Sequence, residues 1–202
     1  SGNYLYCLDN DWTILWRVPI QETTSGNTGS TVFDFNGDGS FEVVYRDEQF
    51  IYIIRGTDGA ILQSRPCMSL TWTEYPIVAD VDGDGATEIC VTCMHDNYSD
   101  IHADAEMGVV RLFEANGENW APSRKIWNQH AYFNVNINDD GTIPPEQQKH
   151  HLFASQGFCG PAGQKPLNTF LNQAPYLTTD GCPDYAAVDL EFGGNVVVNP
   201  PV

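Results

Sequence analysis

The sequence predicts an all-β fold: partial β-propeller blades with calcium-binding hairpin loops, followed by an irregular, disulfide-containing C-terminal segment. Three observations carry this. Short apolar runs alternate with polar residues and end in Asn, Asp and Gly, the pattern of strands joined by tight turns. One acidic turn motif occurs twice, opening at Asp34 and at Asp80, 46 residues apart. Each copy lies between two strand-like runs, and a four-stranded unit repeating every ~40–50 residues is the mark of propeller blades.

Tyr4-Leu-Tyr-Cys-Leu-Asp and Thr13-Ile-Leu-Trp-Arg-Val alternate around Asn10-Asp11, which gives a β-hairpin. Gln21–Ser30 is polar and contains Gly, so it reads as a loop. Four strands follow: Thr31-Val-Phe-Asp, Phe41-Glu-Val-Val-Tyr, Phe50-Ile-Tyr-Ile-Ile-Arg and Ala60-Ile-Leu-Gln-Ser, the last two joined by Thr57-Asp-Gly. The pattern restarts at Ile77-Val-Ala-Asp and continues through Glu88-Ile-Cys-Val, a polar insertion, and Gly108-Val-Val-Arg-Leu-Phe. Blades are therefore expected over 1–119, truncated at the N-terminus. A propeller-closing or post-propeller segment is expected over 120–182, where Pro, Gln and Gly become frequent. Ala187–Pro201 alternates again, which suggests a linker or the first strand of a following immunoglobulin-like domain over 183–202. A propeller needs at least about four blades. The expectation is thus a piece cut at both ends from a larger protein, or one that completes its sheet stack with another chain.

Composition narrows the function classes. The chain has 202 residues, 42% of them apolar and 18% charged, a balance that folds. Its net charge of −18, from 27 acids against nine bases, argues against nucleic acid, which needs clustered Lys and Arg. No run of about 18 apolar residues is present, so no membrane insertion is expected. No export signal opens the chain, so one is expected to have been removed or to lie elsewhere. The six cysteines, Cys7, Cys67, Cys90, Cys93, Cys159 and Cys182, suggest disulfides in an exported protein. Cys90 and Cys93 form a C-x-x-C, but on a strand residues three apart face opposite ways, which disfavours a redox or zinc site. The pairing expected is Cys159 with Cys182, closing the strand-poor segment.

The two turn motifs carry the clearest chemistry. Asp34-Phe-Asn-Gly-Asp-Gly-Ser-Phe-Glu42 and Asp80-Val-Asp-Gly-Asp-Gly-Ala-Thr-Glu88 share one logic. Calcium takes six to eight oxygens at about 2.3–2.6 Å. Asp34, Asn36 and Asp38 supply side-chain oxygens at positions 1, 3 and 5, as do Asp80, Asp82 and Asp84. Gly39 and Gly85 allow the sharp turn at position 6. Ser40 and Ala86 offer backbone carbonyls at position 7, and Glu42 and Glu88 close the shell at position 9. An ordinary hairpin turn would also use Asp-Gly, but two loops in register with four oxygen side chains each favour Ca2+, at two sites. The turn at Asn136-Ile-Asn-Asp-Asp140-Gly141 has Pro144 at position 9, so a third site there is not expected.

Val32-Phe-Asp-Phe-Asn-Gly-Asp-Gly and Val78-Ala-Asp-Val-Asp-Gly-Asp-Gly resemble the FG-GAP/VCBS repeats of integrin-type β-propellers over residues 1–115. The resemblance implies calcium held in the hairpins of each blade. The stretch from Trp120 to Asp140, with Pro166-Leu-Asn-Thr-Phe-Leu-Asn-Gln173, is similar to very large surface proteins of gliding Bacteroidota exported by the type IX route. That likeness implies an extracellular or cell-surface location, a role in adhesion or gliding motility, and immunoglobulin-like repeats downstream. It also implies partners: other domains of the same surface protein, secretion-machinery chains, and extracellular glycans.

Other candidates are weaker. His95–Glu106 groups two His with four acids, which as a transition-metal or acid/base site competes with a solvated loop. His150-His151 reads as surface. Trp72, Tyr75, Trp120 and Trp127 could stack on sugars, although large aromatics more often fill cores. No nucleophile motif is visible, so the expected function is non-catalytic. The alternative is a carbohydrate-binding module, or a polysaccharide lyase or hydrolase, on a calcium-bearing propeller. Disulfide mapping by mass spectrometry should find the Cys159–Cys182 link; a map without it removes that pairing.

Overall fold

Alternation and turn chemistry resolve into ten strands in the computed structural model, which describes residues 3–70, 72–94, 109–133, 136–145 and 170–173 and the backbone of 192–198. They are β1 (Asn3–Leu8), β2 (Ile14–Ile20), β3 (Ser30–Phe33), β4 (Glu42–Arg46), β5 (Phe50–Arg55), β6 (Ile61–Pro66), β7 (Ile77–Ala79), β8 (Glu88–Cys93), β9 (Val109–Ala115) and β10 (Phe192–Val198). The described residues contain no helix, and so none long and apolar enough to cross a membrane. β1 and β2 form a hairpin, β3-β4-β5-β6 one antiparallel meander, and β10-β9-β8-β7 a second four-stranded sheet. The fold is all-β, with three antiparallel sheets that do not close into a ring. The alternating stretch expected as a linker or the opening strand of a following domain supplies β10, which pairs with β9 as an outer strand of the second sheet.

The sheets stack because each is apolar on both faces. Tyr45, Tyr52 and Ile54 share one face of the first sheet, and the hairpin covers them with Trp16 and Val18. Val44, Ile51 and Ile53 share the other face and meet Val78, Ile89, Val91 and Phe113 of the second sheet. The packing repeats with the 46-residue shift: Tyr45 looks back at the hairpin as Val91 looks back at the first sheet. A backbone contact repeats with it. Glu48 N donates to Gln21 O at 3.0 Å, and Met94 N, 46 residues on, donates at 2.6 Å to Met68 O, 47 residues on from Gln21. The remaining face of the second sheet carries Ile77, Cys90, Val110 and Leu112, all half-buried or exposed.

The described residues of 120–173 are irregular in backbone, yet packed. Trp120 is wholly buried, edge-on to Phe35 at 4.8 Å, and Ala121 N donates to Phe35 O at 2.8 Å. Irregular backbone inside a protein needs side-chain partners, and Gln173 provides them. Its Nε2 donates to the carbonyls of Val78 (2.9 Å), Ile126 (3.2 Å) and Arg124 (3.4 Å), while its Oε1 accepts from the Tyr132 hydroxyl at 2.9 Å. Arg124 in turn donates to Ile137 O at 2.6 Å and pairs with Asp139. Asn172 bridges in parallel to Val32, so this short piece edges β3.

Among the described residues one disulfide is present, Cys67–Cys93, closing a separation of 26 residues across the two sheets. The sequence reading did not pair these two, because they lie in different repeats and only the stacking brings them together. Cys159 and Cys182 lie outside the described residues. Cys93 faces the buried layer while Cys90 is a free thiol on the other face, so the C-x-x-C is not a paired site. Trp120→Ala should cost about 3–5 kcal/mol in denaturant unfolding. Trp72→Ala, at a position 69% exposed, should stay within about 0.5 kcal/mol of the parent. Equal effects of the two would contradict this packing.

Candidate metal centre

The two acidic loops connect β3 to β4 and β7 to β8, at the same end of their sheets. Their hydrogen bonds match at each acceptor position, except that one donor to position 1 comes from position 5 in the first loop and from position 4 in the second. At position 1, Asp34 accepts from Asp38 N (3.1 Å) and Gly39 N (2.9 Å), and Asp80 from Gly83 N (2.6 Å) and Gly85 N (3.1 Å). At position 3, Asn36 Oδ1 accepts from Asp38 N at 3.0 Å and Asp82 Oδ1 from Asp84 N at 3.0 Å. At position 5, Asp38 accepts from Ser40 N and Asp84 from Ala86 N, both at 2.7 Å. At position 9, Glu42 reaches back to Phe35 N (3.1 Å) and Glu88 to Val81 N (2.7 Å). Gly39 and Gly85 have φ of +85° and +94°, a backbone that only glycine adopts without strain.

Each carboxylate thus curls its loop inward around amide donors, and the acidic oxygens converge. In the second loop Asp80, Asp82 and Glu88 bring oxygens within 4.8 Å of one another. Oxygens on one calcium shell, at about 2.3–2.6 Å from the ion, lie at most about 5 Å apart, so this set fits such an ion. Asp84, the other acid expected in that shell, has its Oδ1 turned to the Ala86 amide. In the first loop Asn36 replaces one carboxylate, and its amide donates to Asp38 Oδ2 at 3.3 Å. The donor set is all oxygen, which suits a hard cation.

Electrostatics show the strain of this convergence. Burial, with Asp34 and Asp38 nearby, pushes Glu42 up to about 7. Burial, with Asp82, Asp84 and Asp80 nearby, does the same to Glu88. Burial also raises Asp34. The second loop has a partial substitute for a cation that the sequence reading missed: the Lys125 ammonium lies 3.6 Å from Asp80 Oδ2 and donates to Gly83 O at 3.1 Å. Lys125 comes from the packed segment 41 residues beyond Asp84, with no motif to flag it.

The third acidic turn is built differently. Asp140 Oδ1 accepts from both the amide (2.9 Å) and the hydroxyl (2.6 Å) of Thr142, and Asp139 pairs with Arg124. Of the candidate aromatics, Trp120 fills the core, Trp127 stacks on Tyr132 at 4.3 Å, and Tyr75 meets His130 edge-on at 4.8 Å. Trp72 alone of these four is mostly exposed. His95–Glu106 and His150-His151 lie outside the described residues.

An all-β stack with acidic hairpin loops at one end is therefore the class of protein this chain defines. No family model matches it, and no curated protein does. Among solved structures it is similar to the V. cholerae biofilm matrix protein Bap1, at 29% identity and a TM-score of 0.64. The match covers 73% of this chain and only 24% of that one, so the chain spans about a quarter of its neighbour's length.

The raised glutamates fix a sign for pH dependence. The ordinary pKa is 4.5 and the folded value about 7, so between them the folded form holds protons that the unfolded form has released. In EDTA, stability should fall as pH rises through this window; with saturating calcium, which needs both groups ionised, the fall should vanish or reverse. Melting curves across that range test this, and Glu42→Gln with Glu88→Gln should flatten the EDTA profile. A profile in EDTA that does not fall between these values contradicts the assignment.

Proposed function

We propose that the chain is a non-catalytic, calcium-stabilised β-propeller module of a secreted cell-surface or matrix protein, serving adhesion. The observation that carries the reading is the Asp80, Asp82 and Glu88 cluster, set in a loop whose hydrogen bonds repeat those of Asp34–Glu42. Three carboxylates this close in a partly desolvated turn repel one another, and a divalent cation is the simplest way to neutralise them. Asp34, Asn36, Asp38, Glu42 and the Ser40 carbonyl would hold one calcium; Asp80, Asp82, Asp84, Glu88 and the Ala86 carbonyl would hold the other.

The blade reading draws support from the stacking. Each four-stranded unit turns the same face to the element before it, at a fixed 46-residue shift, and the second sheet offers the following face to a further unit. Repetition of this kind is how blades assemble. The disulfide and the likeness to a biofilm matrix protein are consistent with an extracellular location. Export by the type IX route and a part in gliding motility rest on the likeness of 120–182 alone.

Calcium binding to the folded form stabilises it by about 2.7 kcal/mol per site at a hundredfold excess over Kd. For a chain of this size each kcal/mol moves Tm by about 2–4 °C. Chelation should therefore lower Tm by several degrees, calcium should restore it, and Asp82→Ala should lower it even with calcium present. If EDTA leaves the melting curve unchanged, the structural role of both loops is wrong; turnover of a polysaccharide would overturn the non-catalytic reading.

A further inference from the structure

At the end of the sheets away from the acidic loops, a cleft of about 220 Å³ opens between the two sheets, lined by Arg46, Ser69, Trp72, Glu74, Thr92 and Met94 among others. Its position follows from strand direction. β4 and β8 both run away from their loops, so Arg46 and Thr92 lie about 13 Å further along, at ~3.3 Å per residue. Its floor is fixed: the Cys67–Cys93 disulfide joins the sheets there, and Arg46 spans them to donate to Thr92 O.

Two features set this cleft apart from a packing gap. Arg46 is 1% exposed, yet its Nε has no hydrogen-bond partner, an expensive state for a buried cation. Its Nη2 lies 2.9 Å from Glu74 Oε1. Glu74 then fastens the loop above: Oε1 accepts from the Ser69 hydroxyl and Oε2 from Trp72 N at 3.0 Å. The result is an indole held out at the rim, 69% exposed, on a loop pinned to the core through Arg46. An exposed aromatic side chain on a backbone held in this way, beside a half-exposed carboxylate, is a platform that costs little loop entropy on binding.

The chemistry of the lining selects the ligand. An apolar face stacks on Trp72, while hydroxyls at its edge donate to the half-exposed Glu74 carboxylate, which the buried Arg46 holds from beneath. The Glu74 carboxyl is held below its ordinary range: burial works against this, but the Ser69 hydrogen bond, a backbone bond and the Arg46 charge outweigh it. An ionised Glu74 in a chain of net charge −18 disfavours acidic ligands. The volume suits one ring.

We infer that this cleft is a binding subsite for a single neutral pyranose ring, the terminal or exposed sugar of a glycan, stacked on Trp72 and hydrogen-bonded by Glu74, which Arg46 holds in place. It does not depend on the metal loops at the other end of the strands, so a chelation result leaves it standing or falling by itself.

Saturation-transfer NMR on the full chain tests it, with methyl glycosides of glucose, galactose, mannose and N-acetylglucosamine, and with glucuronate as the acidic probe. At least one neutral glycoside should bind in the millimolar range. Trp72→Ala should weaken that binding about tenfold, the scale of one aromatic stacking contact. Trp12→Ala, exposed at the tip of the β1–β2 hairpin, should leave it unchanged. The proposal is overturned if no neutral glycoside receives saturation at tens of millimolar. It is equally overturned if Trp72→Ala binds as the parent does, if both tryptophan variants lose binding alike, or if glucuronate binds more tightly than every neutral probe.

Discussion

The burial of one face of the second sheet against the opposite face of the first is the contact from which the other features descend. Val44, Ile51 and Ile53 meet Val78, Ile89, Val91 and Phe113, and all seven are almost wholly removed from water. At roughly 1.5–3 kcal/mol for each large apolar side chain, this layer far outweighs any single polar contact in the chain. It also aligns the two sheets in register. The acidic loops then lie side by side at one end, and at the other Arg46 comes within reach of Thr92 and Cys67 within bonding distance of Cys93.

Both ends of the stack thus carry polar features that the apolar layer cannot satisfy, and they solve the problem differently. At the loop end, carboxylates are crowded and half-desolvated, and they are met mainly by backbone amides, with the Asn36 amide and Lys125 beside them. That imbalance calls for an external cation. At the cleft end, Arg46 and Glu74 are of opposite charge and answer one another, so the residual need is for neutral hydrogen-bonding partners. A net charge of −18 sharpens the contrast, because the field of the whole molecule draws cations to the first end and repels anions from the second.

Local chemistry was legible in the sequence and distant pairing was not. The acidic loops could be read because ligand spacing, turn glycines and flanking alternation all fall within nine residues, Asp34–Glu42. The strands of the first meander were readable for the same reason. Cys67–Cys93 was invisible because nothing in either segment names the other; their meeting depends on stacking. Gln173 was missed as a structural residue, and Trp120 could be read only as a core aromatic without its partner, since the chain around them has no period. Irregular backbone is stabilised there by side-chain donors and by Trp120 on Phe35, and such contacts leave no pattern in a linear string.

The placement of Trp72 shows how the same residue type takes opposite roles. Trp120 and Trp72 are alike in size and apolarity, and composition cannot separate them. Trp120 lies edge-on to Phe35, to whose carbonyl the next residue's amide donates, so burying it removes water from both rings. Trp72 sits on a loop where the Ser69 hydroxyl donates to Glu74 and Glu74 pairs with Arg46 below. That commitment holds the backbone at Trp72 N, and the indole stays mostly in water. An aromatic ring kept in water by the hydrogen bonds of its own loop has lost the option of hydrophobic burial within the chain. A ligand that can dry one of its faces therefore restores free energy the fold itself leaves unclaimed.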